Sequence, residues 1–251
     1  MLSQVGGIIY VVTLGLSRKL NLSKLKSFLL FSLCYLLSST LIIPLIAPCF
    51  GRTPLPLYGK LRPLNILTCL LNRHYVHPEL KAHLIDASDQ VAQKYSGTKT
   101  NYLDANFPFI NAFPLVPHLS HHDGKKVDLA FFYRDSETGE RMNSTPSFIG
   151  YGVYDGPTEK EVDYPEKCKT QGYWQYDLIT HLIPKWNESK YVVDVSRTRE
   201  LIRQLSIAHS TDKIFVEPHL KQRWNLMNYD IIRYHGCQAV RHDDHIHFQI
   251  H

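Results

Sequence analysis

The sequence predicts an α+β fold: a small antiparallel β-sheet with helices packed on one side, preceded by an N-terminal hydrophobic helix. Three observations lead there. Ser27 to Gly51 carries no charged residue. Pro78 to Lys94 places Leu80, Leu84, Ala87 and Val91 at helical spacing. The chain closes on His245-Ile246-His247-Phe248-Gln249-Ile250, whose alternation has the period of a strand.

The chain has 251 residues, 44% hydrophobic and 20% charged, enough for one sizeable domain plus an anchor. A net charge of +5 is too small to argue for nucleic acid, and no nucleic-acid partner is expected. It would suit an anionic polymer such as a cell wall. Cys34, Cys49, Cys69, Cys168 and Cys237 form no C-x-x-C pair, which argues against a zinc ribbon or a thioredoxin-like site.

Arg18, Lys19, Lys24 and Lys26 precede the uncharged run. Positive charge on that side keeps the N-terminus in the cytoplasm and directs the downstream chain outward. Residues 1–51 are therefore expected to be a cytoplasmic tail plus a signal segment or membrane anchor, with residues 27–51 in the bilayer. Val5 to Leu16 is too short to span. Residues 52–75 begin with a Pro- and Gly-rich stretch and are expected to be a linker to a domain over 76–251.

Within that domain Pro78 suits the first helical position. Strands are expected over Asn101 to Phe109, Lys125 to Tyr133, Tyr191 to Val195 and Lys213 to Val216. Asp135 to Lys169 is turn-rich and reads as an insertion or rim. Arg197 to Ala208 reads as a helix capped by Ser196.

Two stretches carry chemistry. On the closing strand His245, His247 and Gln249 share one face, while Ile246, Phe248 and Ile250 share the other. The imidazoles are thus roughly 7 Å apart on a rigid element, by the strand rise. A strand end with solvated histidines is the plain alternative. The other stretch is Ser120-His121-His122-Asp123-Gly124-Lys125-Lys126-Val127-Asp128. Gly124 permits a sharp turn. A histidine on the loop and the aspartate on the entering strand can then converge. With one histidine from a neighbouring strand, the set becomes two imidazoles and a carboxylate. That is a ligand composition of catalytic zinc, with the fourth position left for water. Trp174, Tyr176 and Trp224 are groove or core aromatics, His118 and His235 are expected at the surface, and His122 is expected to point away. Cys168 and Cys237 are a candidate disulfide if the domain lies outside the cytoplasm.

Ser120-His121-x-x-Gly124-x-x-Val127-Asp128 together with His242-x-x-His245-x-His247 resembles the penicillin-insensitive murein endopeptidases. These lie within the zinc peptidase group that includes D-Ala-D-Ala dipeptidases and D,D-carboxypeptidases. Lys213 to Lys221 is similar to the family's strand before the closing motif. The likeness covers Asn101 to the C-terminus, with a poorly matched middle. It implies that His121, Asp128 and His247 bind one Zn2+ per chain. It implies that His245 sits beside the metal and that His242 is the general base, with Asp244 as the competing base. The implied activity is hydrolysis of peptidoglycan amide bonds in the periplasm or cell envelope. A D,D-carboxypeptidase, a dipeptidase and a non-catalytic wall-binding module that keeps the metal site are the alternatives. Two positions depart from the pattern. Lys126 stands where the family tends to have an aspartate, and Glu217 where it has an asparagine.

Overall fold

The computed structural model describes residues 3–116, 118–173, 176 and 188–251. Trp174, a candidate groove residue, lies outside them. The fold is mixed α/β, and the chain divides into two compact units. One comprises Met1–Leu55, Ile66–Lys81 and Asp104–Lys126; the other comprises Pro56–Asn65, Ala82–Leu103 and Val127–His251. This interleaved division differs from the expected breaks at residues 51 and 75.

In the first unit, α1 (Gly6–Lys19) and α2 (Lys24–Leu37) fold back on each other, with Tyr10 edge-on to Phe31. The helical course continues through a π turn at Ser38–Ile42, α3 (Ile43–Ile46) and a 3-10 turn at Ala47–Phe50. Pro44 and Pro48 have no N–H to donate, which accounts for the irregular turns around them. The whole helix, Lys24–Phe50, has 27 residues, and its most apolar 18-residue stretch has a mean hydropathy of 2.2, long and apolar enough to cross a membrane. It is also fastened along one side. Tyr35 Oη donates to Leu70 O at 2.8 Å, and Asn72 Nδ2 donates to Ser39 Oγ at 3.0 Å.

Residues 52–75 are more structured than a linker. They hold β1 (Thr53–Pro54), β2 (Leu61–Pro63), α4 (Ile66–Leu70) and the start of β3 (Tyr75–Val76). β1 and β3 pair antiparallel. In the loop over 104–126, Gly124 has φ +81° and lies against the Arg52 guanidinium, so a Cβ there would clash. The sharp turn expected at Gly124 is present. α5 (Pro78–Lys94) forms as expected, with Leu80, Leu84, Ala87 and Val91 buried.

The second unit is built on a sheet larger than expected. β4 (Thr100–Tyr102), β5 (Lys126–Ala130), β9 (Thr211–Phe215), β10 (Ile232–Arg233) and β11 (His245–Ile250) join β2 in the order β10-β9-β11-β5-β4-β2. The β11/β9 and β4/β5 pairs are antiparallel, but β10/β9 and β2/β4 are parallel, so the sheet is mixed. Val127, Leu129, Ile214, Ile246, Phe248 and Ile250 are fully buried. The strand expected over Asn101 to Phe109 stops early. Leu103 N still bonds Asp128 O, but Ala105 N turns to Arg73 O.

The turn-rich segment contributes to a small antiparallel sheet of β6 (Tyr133–Asp135), β7 (Arg141–Met142) and β8 (Tyr191–Val193), and it ends in α6 (Tyr164–Thr170). α7 (Val195–Ser206) is capped by Asp194, not Ser196. The Asp194 carboxylate accepts from Arg197 N at 3.3 Å and pairs with the buried Arg197 Nε at 2.7 Å. A charged acceptor serves the helix start and a buried cation together, which serine cannot do. α8 (Pro218–Arg223) follows Glu217. Cys168 on α6 is disulfide-bonded to Cys237. Tyr176 and Trp224 are core residues rather than groove walls, each about 1% exposed.

Candidate metal centre

β11 pairs His247 with Phe215 of β9, and the Phe215 ring stacks on the His247 imidazole at 5.2 Å. On the neighbouring strand Asp128 is fully buried. Its Oδ1 lies 2.9 Å from His247 Nδ1, and its Oδ2 lies 3.9 Å from His245 Nε2. Tyr151 Oη donates to Asp128 Oδ2 at 2.9 Å. The alternation of β11 thus does what its sequence implies, with the histidines on one face and the apolar residues in the core.

The loop histidines have a matching preparation. His121 is fully buried and its Nδ1 lies 2.8 Å from Ala105 O, so an Nδ1–H donor leaves Nε2 as the lone-pair nitrogen. A second ring nitrogen fixed on a backbone carbonyl is the usual support of a metal-binding histidine. His118, expected at the surface, is buried, its ring 5.4 Å from that of His121. His118, His121 and Asp128 form a buried group whose ligand atoms lie within 4.8 Å of one another, a group that could hold a metal ion. Two nitrogens and a carboxylate oxygen suit zinc. Ligand atoms about 2.0–2.2 Å from a tetrahedral ion stand roughly 3.3–3.5 Å apart. The 2.9 Å between Asp128 and His247 is shorter than that spacing and is the length of a hydrogen bond, so the two atoms would have to part by about 0.5 Å to share an ion.

His242 lies outside the strand, its ring 4.9 Å from His245 and 5.7 Å from His247. Burial, aided by these two imidazoles, pulls its pKa well below the usual value. His245 is equally buried, but the carboxylates of Asp244 and Asp128 outweigh the burial and raise its pKa. Asp244 is spoken for: Oδ1 meets His245 Nδ1, and Oδ2 accepts from Gly152 N at 2.6 Å. Its place is that of a group orienting His245. His122 is exposed, as expected. His235 is also exposed, yet its ring stacks on His242 at 5.8 Å and 18°.

Three contributors were not evident from the sequence. Tyr151 and Gly152 hold Asp128 and Asp244 from the segment read as a rim. Glu217, noted only as a departure, grips His242 at both backbone groups. Glu217 N donates to His242 O, and His242 N donates to Glu217 Oε1, each at 3.2 Å. The same Oε1 accepts from Tyr176 Oη at 2.5 Å. Burial, with the nearby Asp243, raises the Glu217 carboxyl to about 7. Lys126, the other departure from the family pattern, is buried against Asp123.

No protein-family model matches the chain, and the search of curated proteins returned no match.

Proposed function

We propose that the protein is a zinc peptidase that hydrolyses amide bonds of peptidoglycan peptides. The observation that carries the reading is the meeting of Asp128 and His247 on adjacent strands, with His121 supported on a backbone carbonyl. In this reading His121, Asp128 and His247 hold the metal. Bound there, zinc would polarise the scissile carbonyl and lower the pKa of water. His242 takes the proton of the attacking water and returns it to the leaving amine. His245, oriented by Asp244, donates to the oxygen on which negative charge develops. Tyr151 holds the Asp128 carboxylate in place. The Cys168–Cys237 disulfide supports an oxidising compartment such as the periplasm, reached by way of the apolar N-terminal helix.

A second reading has its own support. His118 brings another nitrogen to the group. If it joins the other three ligands, the shell is closed, as in structural zinc sites, and the protein is a non-catalytic wall-binding module. Digestion of purified cross-linked wall beside a free D-Ala-D-Ala peptide, with zinc analysis of the same preparation, separates these readings. Release of cross-link fragments supports the endopeptidase, and release of D-Ala alone supports a carboxypeptidase or dipeptidase. Stoichiometric zinc without turnover supports the module.

A further inference from the structure

Beside His242 the second unit has a groove of about 430 Å³ that the catalytic reading does not use. Tyr164, Lys167, Gln171, Tyr173, Tyr234 and His235 line it, and Cys237 contributes to its wall. Among the described residues no carboxylate lines it, while Lys167 brings a cation, set 5.8 Å from the Tyr164 ring centre. Its chemistry is therefore aromatic faces, amide and hydroxyl groups, and one positive charge. That combination suits an extended peptide that carries a carboxylate.

Two connections tie the groove to His242. The first is direct: the His235 ring in the groove stacks on the His242 ring. The second is a chain of hydrogen bonds. Tyr234 bonds Tyr176, Tyr176 donates to Glu217 Oε1, and that oxygen accepts from His242 N. The disulfide braces the same wall, since Cys168 Sγ lies 3.1 Å from Tyr234 Oη. A peptide in the groove would thus lie against His235, one ring away from the residue read as the general base, on elements held in place by a covalent bond and a buried carboxylate.

We propose that this groove is a substrate subsite of the centre and binds a carboxylate-bearing peptide strand, with Lys167 as the residue that selects the negative charge. The proposal rests on reading His242 as part of the catalytic centre, but binding to the groove does not need the metal.

The test uses the full chain in detergent, both zinc-loaded and chelator-treated, and two synthetic probes, Ala-Glu-Ala amide and Ala-Gln-Ala amide. Calorimetry should show the glutamate peptide binding about three- to fivefold more tightly than the glutamine peptide, the scale of a partly exposed ion pair. Lys167→Ala should remove that difference, Tyr164→Ala should weaken both peptides, and chelation should leave both affinities unchanged. Lys167 is exposed on α6, so its removal leaves the core intact. No binding of either peptide at millimolar concentration overturns the proposal. So does a glutamate preference that survives Lys167→Ala, or binding that is lost with zinc. Selective binding without hydrolysis of wall peptides would sink the peptidase reading and leave the groove assignment standing.

Discussion

Replacing Glu217 by glutamine removes a buried carboxyl while keeping an acceptor for Tyr176 and His242. The group is about 1% exposed, and its folded pKa is about 7 against an ordinary 4.5. Below pH 4.5 it is protonated in both states and stability does not depend on it. As pH rises, the unfolded chain releases the proton first while the folded protein retains it, so stability falls. Above the folded pKa the loss is complete. A shift of that size corresponds to about 3 kcal/mol at roughly 1.4 kcal/mol per pH unit. Most of the change, about 2–3 kcal/mol, falls between pH 5 and pH 8. Glu217→Gln does not titrate, so its stability relative to the wild type should rise by that amount across the interval. Urea unfolding of the detergent-solubilised protein, followed by tryptophan fluorescence at several pH values, reads this difference. Parallel profiles for the two proteins, or a variant that loses ground as pH rises, would refute the reasoning.

Two further outcomes are expected from the contacts. Tyr151→Phe removes the hydroxyl that bonds Asp128 Oδ2 and should weaken zinc binding about 10- to 100-fold with the fold intact, measured by chelator competition. Reduction of Cys168–Cys237, which closes a loop of 69 residues, should cost about 4 kcal/mol by the chain-entropy relation, seen as a lower unfolding midpoint in dithiothreitol.

The parts of the fold that could be read from the sequence are those where one local pattern decides the outcome. The stripe Leu80, Leu84, Ala87, Val91 gave a helix because those side chains had one place to go, the core. The alternation from His245 to Ile250 gave a strand with its apolar face buried for the same reason. The Cys168–Cys237 pairing was legible only as a candidate, conditional on a domain outside the cytoplasm, and the two thiols are joined. What escaped depends on contacts between residues far apart in the chain. His118 looked exposed because no local periodicity marks its loop as buried. Tyr151 carries no motif. Its position is set by Gly150, whose φ of +83° and close approach to Leu103 need a residue without a side chain. Glu217 and His242 are 25 residues apart, and only the β9–β11 pairing brings their backbones together. The mixed sheet escaped because β2 and β10, at its edges, are only three and two residues long.

The central claim is that His121, Asp128 and His247 hold one zinc ion and leave a position for substrate. Zinc content of the purified full chain, measured beside His121→Ala, His247→Ala and His118→Ala, tests it most directly. The account predicts one zinc per chain in the wild type and in His118→Ala, and loss of zinc from His121→Ala and His247→Ala. Full zinc in both His121→Ala and His247→Ala would contradict it.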